Sequence, residues 1–404
     1  MKVSTTNAPA AEIETEALVL AIPDDTGKPT PWDAVDAIVG GIVSEALAGP
    51  GFQGKRGQTL ALSTPGNRCR ELILVGLGTS AEIDLEAWRR AVANGASKAR
   101  QRGNSRIAVP LPEIDGHDFE ELATAATEAA ILTSYRYREF KAASAEEVEL
   151  EEILIAAPVD IASATTRAQI VADATCWARD LVNTPSNMKQ PDSLAARAIE
   201  MAEETGLTFE NIDDKAANEL GLNALLAVGQ GSAVGPRLIT LEHRPEGAAN
   251  QPTVLIGKGI TFDTGGISLK PAQKMGDMKA DMSGAAAVFG TMRVLAELNA
   301  PTWVIGVTPL AENMPGSQAY RPSDVIRAYD GTTIEVLNTD AEGRVVLADA
   351  LAYACKRYEP CRIVDLATLT GACVVALGSQ AAGLMGNDDD LCNELVSAGE
   401  ATGE

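Results

Sequence analysis

Hydrophobic and polar positions follow two alternating periods along the chain, and this alternation predicts an α/β protein. Short runs of aliphatic and β-branched residues are typical of strands, whereas longer stretches with apolar residues three and four positions apart are typical of helices. In the first part of the chain the strand-like runs are EALVLAI, ELILVGLG, RIAVPL and EEILIAA, and the helical stretches are AEIDLEAWRRAVANGASKARQRG and FEELATAATEAAILTSYRYREF. Strands that alternate with helices predict a small amino-terminal α/β domain over residues 1–163.

The second part of the chain repeats this alternation after a break. A helical stretch from about Ala164 to Val182 ends in the turn-rich run NTPSNMKQPDS, so residues 164–190 are interpreted as a linker helix and turn. Residues 191–404 contain the strand-like runs LTFENID, PRLITLEH, TVLIGKG, TWVIGVTPL, TTIEVLN and RIVDLATL, with helices such as SGAAAVFGTMRVLAELN between them. We expect a larger second domain, built on a mainly parallel sheet with helices on both faces.

The charge balance narrows the classes of partner. Asp and Glu number 56 against 33 Lys and Arg, which gives a formal net charge of -23. Such an acidic protein is repelled by nucleic acid and by anionic membranes, so neither is expected as its general partner. The amino terminus lacks the charged and apolar regions of a secretion signal, and no apolar run is long enough to span a bilayer. We therefore expect a cytoplasmic protein with no membrane partner.

Cysteine and histidine usage limits the chemistry that the chain can perform. None of the six cysteines lies in a CxxC pair, which argues against a disulfide framework and against a thiolate zinc site. The two histidines, His117 and His243, do not lie in the setting that HExxH zinc sites or Ser-His-Asp catalysis require. Any catalysis must therefore rely on carboxylates, lysine or metal ions.

One charged motif, NTDAEGR at residues 338–344, lies between two well-defined predicted elements. Charged residues often cluster in loops for solubility alone. Here, however, the preceding run GTTIEVL is typical of a strand, and the following run VVLADALAYACKR has helical spacing. Ligands of α/β proteins bind where strands end and helices begin, because a helix start offers unpaired N–H groups. Asp340, Glu342 and Arg344 are therefore candidates for a site at this crossover.

A second charged cluster follows the strand-like run TVLIGKG, in the segment ITFDTGGISLKPAQKMGDMKADMSGAAA. A solvated loop is the simpler interpretation of its lysines and acids. Lys258, however, lies between two glycines directly after an apolar strand, and a buried ammonium group is costly unless it is paired or deprotonated. The position of Lys258 therefore indicates a site.

The two clusters together supply more carboxylates than one cation requires. The candidates, which we expect at the ends of adjacent strands, are Asp263, Asp281, Asp340 and Glu342. Oxygen-rich sites of this kind suit Mg2+, Mn2+ or Zn2+. Two ions about 3.5–4 Å apart would use all four side chains, so we predict a site for two metal ions.

Four segments carry a family resemblance: GKGITFDTGG, LKP, KADMSGAA and NTDAEGR, in this order, resemble the leucyl (cytosol) aminopeptidases. The resemblance extends from about NTPSN to VDLATLTGA, and the residues before it resemble the amino-terminal domain of that family in general form. It implies that one metal ion is bound by Lys258, Asp263, Asp281 and Glu342, and the other by Asp263, Asp340 and Glu342. It also implies that Lys270 and Arg344 are catalytic, with bicarbonate at Arg344. The implied substrate pocket is lined by Met278, Asn338, Thr368, Leu369 and Gly371.

The same resemblance implies an activity and an assembly. The expected protein is a metal-dependent exopeptidase that removes unblocked amino-terminal residues, preferably Leu and other bulky apolar ones, from peptides in intracellular turnover. The expected cofactors are two divalent ions per subunit, Mn2+ or Zn2+ with Mg2+ as a further candidate, and the expected assembly is a homohexamer. Members of the family continue well beyond the equivalent of Glu404, so we expect the catalytic domain, residues 191–404, to be truncated at its carboxyl end.

A nucleic-acid-binding role is an alternative for one segment. Residues 89–106, RRAVANGASKARQRGNSR, carry six basic residues and no acid. Charge runs of this kind usually form a solvated helix face. DNA binding through this segment is therefore the less favoured interpretation, and it stays open at this point.

Overall fold

The chain folds into two compact α/β units. The computed structural model describes residues 1–25, 32–142 and 148–404, and these divide into Met1–Asp180 and Leu181–Glu404. The division falls within the helix Ala162–Asn183, and the domain limits drawn from the sequence, at residues 163 and 190, stay a prediction. None of the helices in the described ranges combines the length and the apolar character that crossing a membrane requires.

The first unit is built on a six-stranded, mostly parallel sheet. Its strands are β1 (Lys2–Thr6), β2 (Thr15–Pro23), β3 (Thr59–Ser63), β4 (Cys69–Gly78), β5 (Arg106–Pro110) and β6 (Glu152–Ala156). Their spatial order is β1-β6-β5-β2-β4-β3, and the β3–β4 pair is antiparallel. The four strands that the sequence predicted are the four central ones. The pattern did not predict β1 and β3, which lie at the two edges and bury less of their surface.

Helices accompany this sheet. They are α1 (Trp32–Ile38), α2 (Ile42–Ala48), α3 (Leu85–Gln101), α4 (Phe119–Ser134) and α5 (Ala162–Asn183). The sequence predicted α3, α4 and α5, but it did not predict the short helices α1 and α2. α3 begins where the side chain of Asp84 accepts a hydrogen bond from the N–H of Ala87 (2.7 Å), which satisfies one of the free donors of the helix start. The buried indole N–H of Trp88 on α3 donates to the carbonyl of Leu122 on α4 (2.9 Å). This bond ties the two helices together inside the core.

The second unit contains a six-stranded mixed sheet and a separate two-stranded ribbon. Its strands are β7 (Thr208–Ile212), β8 (Arg237–His243), β9 (Thr253–Gly257), β10 (Gly259–Asp263), β11 (Val304–Asn313), β12 (Val325–Arg327), β13 (Thr333–Glu335) and β14 (Arg362–Leu366). The main sheet has the order β14-β9-β11-β8-β7, with β10 also paired to β11. The β14–β9, β9–β11 and β10–β11 pairs are parallel, and the β11–β8 and β8–β7 pairs are antiparallel. The predicted α/β class is confirmed, with an antiparallel edge that the sequence pattern did not indicate.

The strand predicted just before the NTDAEGR motif lies outside the main sheet. Only Thr333–Glu335 forms a strand there, and it pairs in antiparallel fashion with β12. Gly331 has a positive φ (96°) in the turn between them, which a glycine adopts at little cost. The expectation that all four carboxylates follow adjacent strands of one sheet is therefore wrong for Asp340 and Glu342, because the backbone of β13 pairs with β12 and not with a strand of the main sheet, although Ile326 of this ribbon is buried in the same core as β9 and β11.

Helices of the second unit place the loops that follow the parallel strands. They are α6 (Pro191–Thr205), α7 (Asp214–Leu220), α8 (Asn223–Gly229), α9 (Ser283–Glu297), α10 (Glu342–Tyr358), α11 (Ala372–Leu377) and α12 (Asp389–Thr402). α9 meets the end of β14 at very short range, since a Cβ atom on Gly284 would lie 2.0 Å from the carbonyl oxygen of Leu366. This close approach requires glycine, and it brings the loop that carries Asp281 to the strand ends.

β9 and β10 pair with β11 one after the other, and Lys258 is the residue between these two strands. Both strands pair with β11 in the same register until the irregularity near Asp263. At the interruption, the N–H of Lys258 donates to the carbonyl of Leu366 on β14 (3.0 Å), and its carbonyl accepts from the N–H of Ala285 on α9 (2.9 Å). The backbone of Lys258 is therefore fixed by two neighbouring elements at the carboxyl end of β9.

Candidate metal and catalytic site

Lys258 is buried, with its ammonium group against two carboxylates. Nζ lies 2.8 Å from Oδ2 of Asp281 and 2.9 Å from Oε1 of Glu342, and it donates to the carbonyl oxygen of Thr368 (2.7 Å). The lysine side chain is 3% exposed, so water does not screen these contacts. The three acceptors come from the turn before α9, the first turn of α10 and the loop after β14. A single buried lysine thus connects three segments.

The charges around Lys258 do not balance. Burial by itself lowers the pKa of Lys258, but the adjacent carboxylates of Glu342 and Asp281 raise this pKa above the ordinary lysine value. Burial raises the pKa of Asp281 to about 6 and also raises the pKa of Glu342, and the ammonium of Lys258 offsets only part of this effect. One ammonium therefore faces two buried carboxylates, and a further positive charge would stabilise their ionised forms.

Lys270 forms a second group of the same kind with Asp263 and Asp340. Its Nζ lies 2.7 Å from Oδ2 of Asp263 and donates to Oδ1 of Asp340. Burial by itself lowers the pKa of Lys270, but the hydrogen bonds to these two carboxylates raise it well above the ordinary value. Lys270 is therefore a charged residue, and it too faces two carboxylates with one positive charge.

Three of the candidate carboxylates converge on one point. One oxygen from each of Asp263, Asp340 and Glu342 lies within 4.8 Å of the other two. Oε2 of Glu342 is buried and accepts no hydrogen bond in the described part of the chain. Across both groups, four carboxylates against two ammonium groups leave two negative charges without compensation. The residues present therefore fit divalent cations, which prefer oxygen ligands.

Two predicted substrate-binding residues also make contacts that support these groups. The hydroxyl of Thr368 donates to Oδ1 of Asp281 (2.7 Å), while its carbonyl accepts from Lys258. Oδ1 of Asn338 accepts from the N–H of Asp340 (2.9 Å), which fixes the turn that leads into α10. Both residues thus help to place ionised side chains, whatever they contact in a substrate.

The other predicted anion and pocket residues lie on the segments that border the two groups. Arg344 is exposed on the first turn of α10, two residues after Glu342. Met278 is half-buried in the short helical turn before Asp281, Leu369 is 42% exposed, and Gly371 directly precedes α11. Their predicted roles stay predictions.

Asn313, Tyr320 and Thr339 were missed by sequence reasoning, although they contact the segments that carry Asp263 and Asp340. Nδ2 of Asn313 donates to Oδ1 of Asp263 (2.8 Å) and to the carbonyl of Thr339 (3.0 Å). The hydroxyl of Tyr320 donates to the same carbonyl (2.8 Å). One signal was available in the sequence: Asn313 ends the apolar run VIGVTPLAEN, and a buried amide requires hydrogen-bond partners.

The basic segment, residues 89–106, finds acidic partners in the first unit. Nη2 of Arg102 lies 2.6 Å from Oε1 of Glu71, and Nη2 of Arg106 lies 3.8 Å from Oε1 of Glu16. The acids belong to β4 and β2, outside the segment, so the charge pattern of the segment alone did not indicate them. These pairs reduce the positive charge that is available to a nucleic acid, and DNA binding stays an untested alternative.

Family models match both parts of the chain. The model described as the catalytic domain of the cytosol aminopeptidase family matches residues 176–404. The model described as the N-terminal domain of the same family matches residues 19–144. The two parts are therefore similar to the two domains of one family, in the same order.

Individual relatives are similar over almost the whole chain. The probable cytosol aminopeptidase of Syntrophotalea carbinolica is 42% identical over 405 residues, which cover 98% of this chain and 81% of the relative. The cytosol aminopeptidase of Pseudomonas aeruginosa is 41% identical over 396 residues, which cover 96% of this chain and 80% of the relative.

Solved structures have the same fold. A variant of tomato leucine aminopeptidase superposes with a TM-score of 0.89 at 32% identity, over 100% of this chain and 81% of that one. The bottromycin maturation enzyme BotP in complex with Mn superposes with a TM-score of 0.83 at 37% identity, over 96% of this chain and 80% of that one.

Proposed function

The chain belongs to the cytosol aminopeptidase family, and from this membership and the site geometry we propose the reaction that it performs. It is a hydrolase of the metallo-exopeptidase type. It removes unblocked amino-terminal residues, preferably Leu and other bulky apolar ones, from peptides. The observation that carries this proposal is the presence of two adjoining lysine-carboxylate groups whose negative charges exceed the positive ones.

The proposed cofactors are two divalent metal ions per chain, Mn2+ or Zn2+, with Mg2+ as a further candidate. Lys258, Asp263, Asp281 and Glu342 would hold one ion, and Asp263, Asp340 and Glu342 would hold the other. Lys258 could act as a ligand only as a neutral amine, so its ammonium would lose a proton when the ion binds. The uncompensated carboxylates support this assignment, as does Oε2 of Glu342, which has no hydrogen-bond partner among the described residues. When bound, the ions would polarise the scissile carbonyl and bring the pKa of a water molecule toward neutrality.

Lys270 and Arg344 are the proposed catalytic side chains. The ammonium of Lys270 is held among the carboxylates in its charged form, so it can stabilise negative charge that develops on the carbonyl oxygen of the substrate. A contribution of this kind is worth roughly 3–4 kcal/mol in other enzymes. Arg344 is exposed at the start of α10, where it would hold bicarbonate as a proton carrier.

Neither histidine forms part of the two lysine-carboxylate groups. His117 contacts Glu121 in the first unit, and His243 contacts the carbonyl of Ala300 (2.8 Å) at the end of β8. Each histidine therefore has a partner that is not one of the four carboxylates. An external anion at Arg344 would supply a proton acceptor other than histidine.

Exposed apolar side chains near the lysine groups support a preference for apolar residues. Ile267 (46% exposed) and Leu269 (61%) precede Lys270, and Leu337 (78%) precedes Asn338. Leu369 (42%) follows Thr368. Large apolar side chains exposed beside buried charges indicate surface that a bulky apolar residue of the substrate would cover.

Family membership also supports proposals about the setting of this reaction. The protein would act in the cytoplasm, in the turnover of peptides, as a homohexamer. Light scattering of the purified protein would measure its mass in solution. A mass that corresponds to fewer than six chains would contradict the proposed assembly.

Metal reconstitution tests the proposed function directly. Protein stripped of metal with a chelator should not hydrolyse Leu-p-nitroanilide, and addition of Mn2+ or Zn2+ should restore activity with two ions bound per chain. N-acetyl-Leu-p-nitroanilide is the matched control, because it presents the same side chain and leaving group without a free amine. Full activity without metal, or equal hydrolysis of the acetylated substrate, would contradict the proposal.

A further inference from the structure

The buried amide of Asn313 joins the two segments that carry Asp263 and Asp340. Asn313 ends β11 and has no exposed surface. Its Nδ2 donates to Oδ1 of Asp263 (2.8 Å) and to the carbonyl oxygen of Thr339 (3.0 Å), so both amide hydrogens are used. Because Thr339 directly precedes Asp340, one side chain spans the distance between two candidate ligands.

Thr339 is fixed at each of its polar atoms. Its carbonyl also accepts from the hydroxyl of the buried Tyr320 (2.8 Å), and its N–H donates to Oγ of Ser268 (3.2 Å). Its hydroxyl donates to the carbonyl of Gly265 (2.6 Å) and accepts from the N–H of Ser268 (2.8 Å). The backbone before Asp340 therefore has little freedom, and Asn313 connects this backbone to Asp263.

The same amide determines how the carboxylate of Asp263 is oriented. Oδ1 of Asp263 accepts from Asn313 and from the N–H of Gly265 (2.9 Å), whereas Oδ2 faces the ammonium of Lys270 (2.7 Å). Two protein donors thus occupy one oxygen, and the other oxygen is left to contact a cation. Hydrogen bonds of this kind, made to ligands by residues that do not touch the metal, orient the ligands of metal sites.

The amide oxygen of Asn313, unlike its nitrogen, makes no stabilising hydrogen bond among the described residues. Its Oδ1 is buried without a hydrogen-bond donor among the described residues. It lies beside Gly266, where a Cβ atom would come within 2.8 Å of it. A buried acceptor without a donor is unfavourable, so the two N–H donors of Asn313, and not its carbonyl, make the stabilising contacts of this side chain.

We propose that Asn313 is a positioning residue of the metal site, which selects the cation-facing oxygen of Asp263 and sets its separation from Asp340. The inference rests on the proposed function, because it concerns the ligands of the metal ions. In this proposal Asn313 acts through Asp263 and Thr339 and is itself neither a metal ligand nor a substrate contact. Its loss should therefore weaken metal binding and lower kcat more than it changes KM.

The variants Asn313→Ala and Thr308→Val test this role. Thr308 lies on the same strand, is also fully buried, and donates to the carbonyl of Ile239 (3.4 Å), so it is a matched control for loss of a buried hydrogen bond in β11. Calorimetric titration of the metal-free proteins with Mn2+ should show binding about 10–100-fold weaker in Asn313→Ala. Thr308→Val should bind Mn2+ as the unsubstituted protein does. A folded Asn313→Ala protein with unchanged Mn2+ affinity would overturn the proposal.

A third variant covers the case in which Asn313→Ala does not fold. Tyr320→Phe removes only the second donor to the carbonyl of Thr339, and it should weaken Mn2+ binding to a smaller extent. In that case an unchanged Mn2+ affinity of a folded Tyr320→Phe protein would overturn the positioning role. Failure of the unsubstituted protein to bind Mn2+ would be a different result, because it would contradict the proposed function itself.

Discussion

Gly343 and Lys258 fit together only because residue 343 has no side chain. A Cβ atom on Gly343 would lie 2.7 Å from Nζ of Lys258 and also 2.7 Å from Cε. Lysine ends are usually flexible, but this one is held by Asp281, Glu342 and the carbonyl of Thr368. The first turn of α10 therefore packs against the end of this lysine with no space for a side chain at position 343.

Gly343→Ala should displace the amine of Lys258 and weaken metal binding. Alanine favours helix formation over glycine by up to about 1 kcal/mol, so the helix itself should not be lost. We expect kcat to fall at least roughly 10-fold together with the metal content, which metal analysis and Leu-p-nitroanilide hydrolysis would measure. Gly276→Ala is the matched control, because a Cβ atom there meets no other atom within 4 Å. Equal metal content in the two variants would contradict this expectation.

Asp263→Asn should remove both metal binding and activity. The change keeps the shape of the side chain but replaces the charged oxygen that faces Lys270, and we propose that Asp263 contacts both ions. Asp277→Asn is the control, because Asp277 is an exposed acid in the same loop region. We expect Asp277→Asn to retain two ions per chain and normal turnover. Near-normal turnover of Asp263→Asn with added Mn2+ would be incompatible with a shared ligand.

Lys270→Ala and Arg344→Ala should have different effects. Lys270→Ala should lower kcat strongly, and it should leave metal stoichiometry intact or improve affinity, because its ammonium occupies Oδ2 of Asp263. Arg344→Ala should have a smaller effect on kcat and should abolish any stimulation by bicarbonate. Steady-state kinetics with and without bicarbonate, together with metal analysis, would measure this contrast. Loss of metal in Lys270→Ala would instead identify a structural role.

Lys189 should make the stability of the second unit depend on pH. Its Nζ is buried and donates to the carbonyls of Val182 (2.9 Å) and Lys279 (2.7 Å). Burial, with smaller contributions from Lys279 and Arg197, lowers the pKa of Lys189 to about 7, whereas an unfolded lysine has a pKa of about 10.4. Between these values the unfolded chain binds a proton that the folded chain does not bind. The contribution of Lys189 to the free energy of unfolding should therefore rise as the pH rises from about 7 to 10.

The variant Lys189→Met measures this dependence, because it lacks the titrating group. Urea unfolding of both proteins across this pH range measures the difference in their free energies of unfolding. This difference should favour the variant most near pH 7 and should favour it less toward about pH 10. The loss of two hydrogen bonds adds a cost to the variant that does not vary with pH. Parallel stability curves would show that Lys189 does not lose its proton in the folded protein.

The sequence by itself determined the elements of the fold and the identity of the charged candidates. Period-2 and helical patterns depend on neighbouring residues, so the central strands β2, β4, β5 and β6 and the helix α10 were readable without the tertiary structure. The spacing in NTDAEGR also placed Asp340, Glu342 and Arg344 around one helix start. The family followed from the order of such segments along the chain.

Only the tertiary structure decided which charged groups form ion pairs and which hydrogen-bond donors fix their positions. Lys258 meets the carbonyl of Thr368 because β9 and β14 are neighbours in the sheet, and Asn313 meets Asp263 because β10 pairs with β11. Strand order and register join residues that are distant in sequence, and no local period encodes them. Burial also raises the free energy of each ionised group. A carboxylate that is stable in water therefore requires a cation or a hydrogen-bond donor inside the protein.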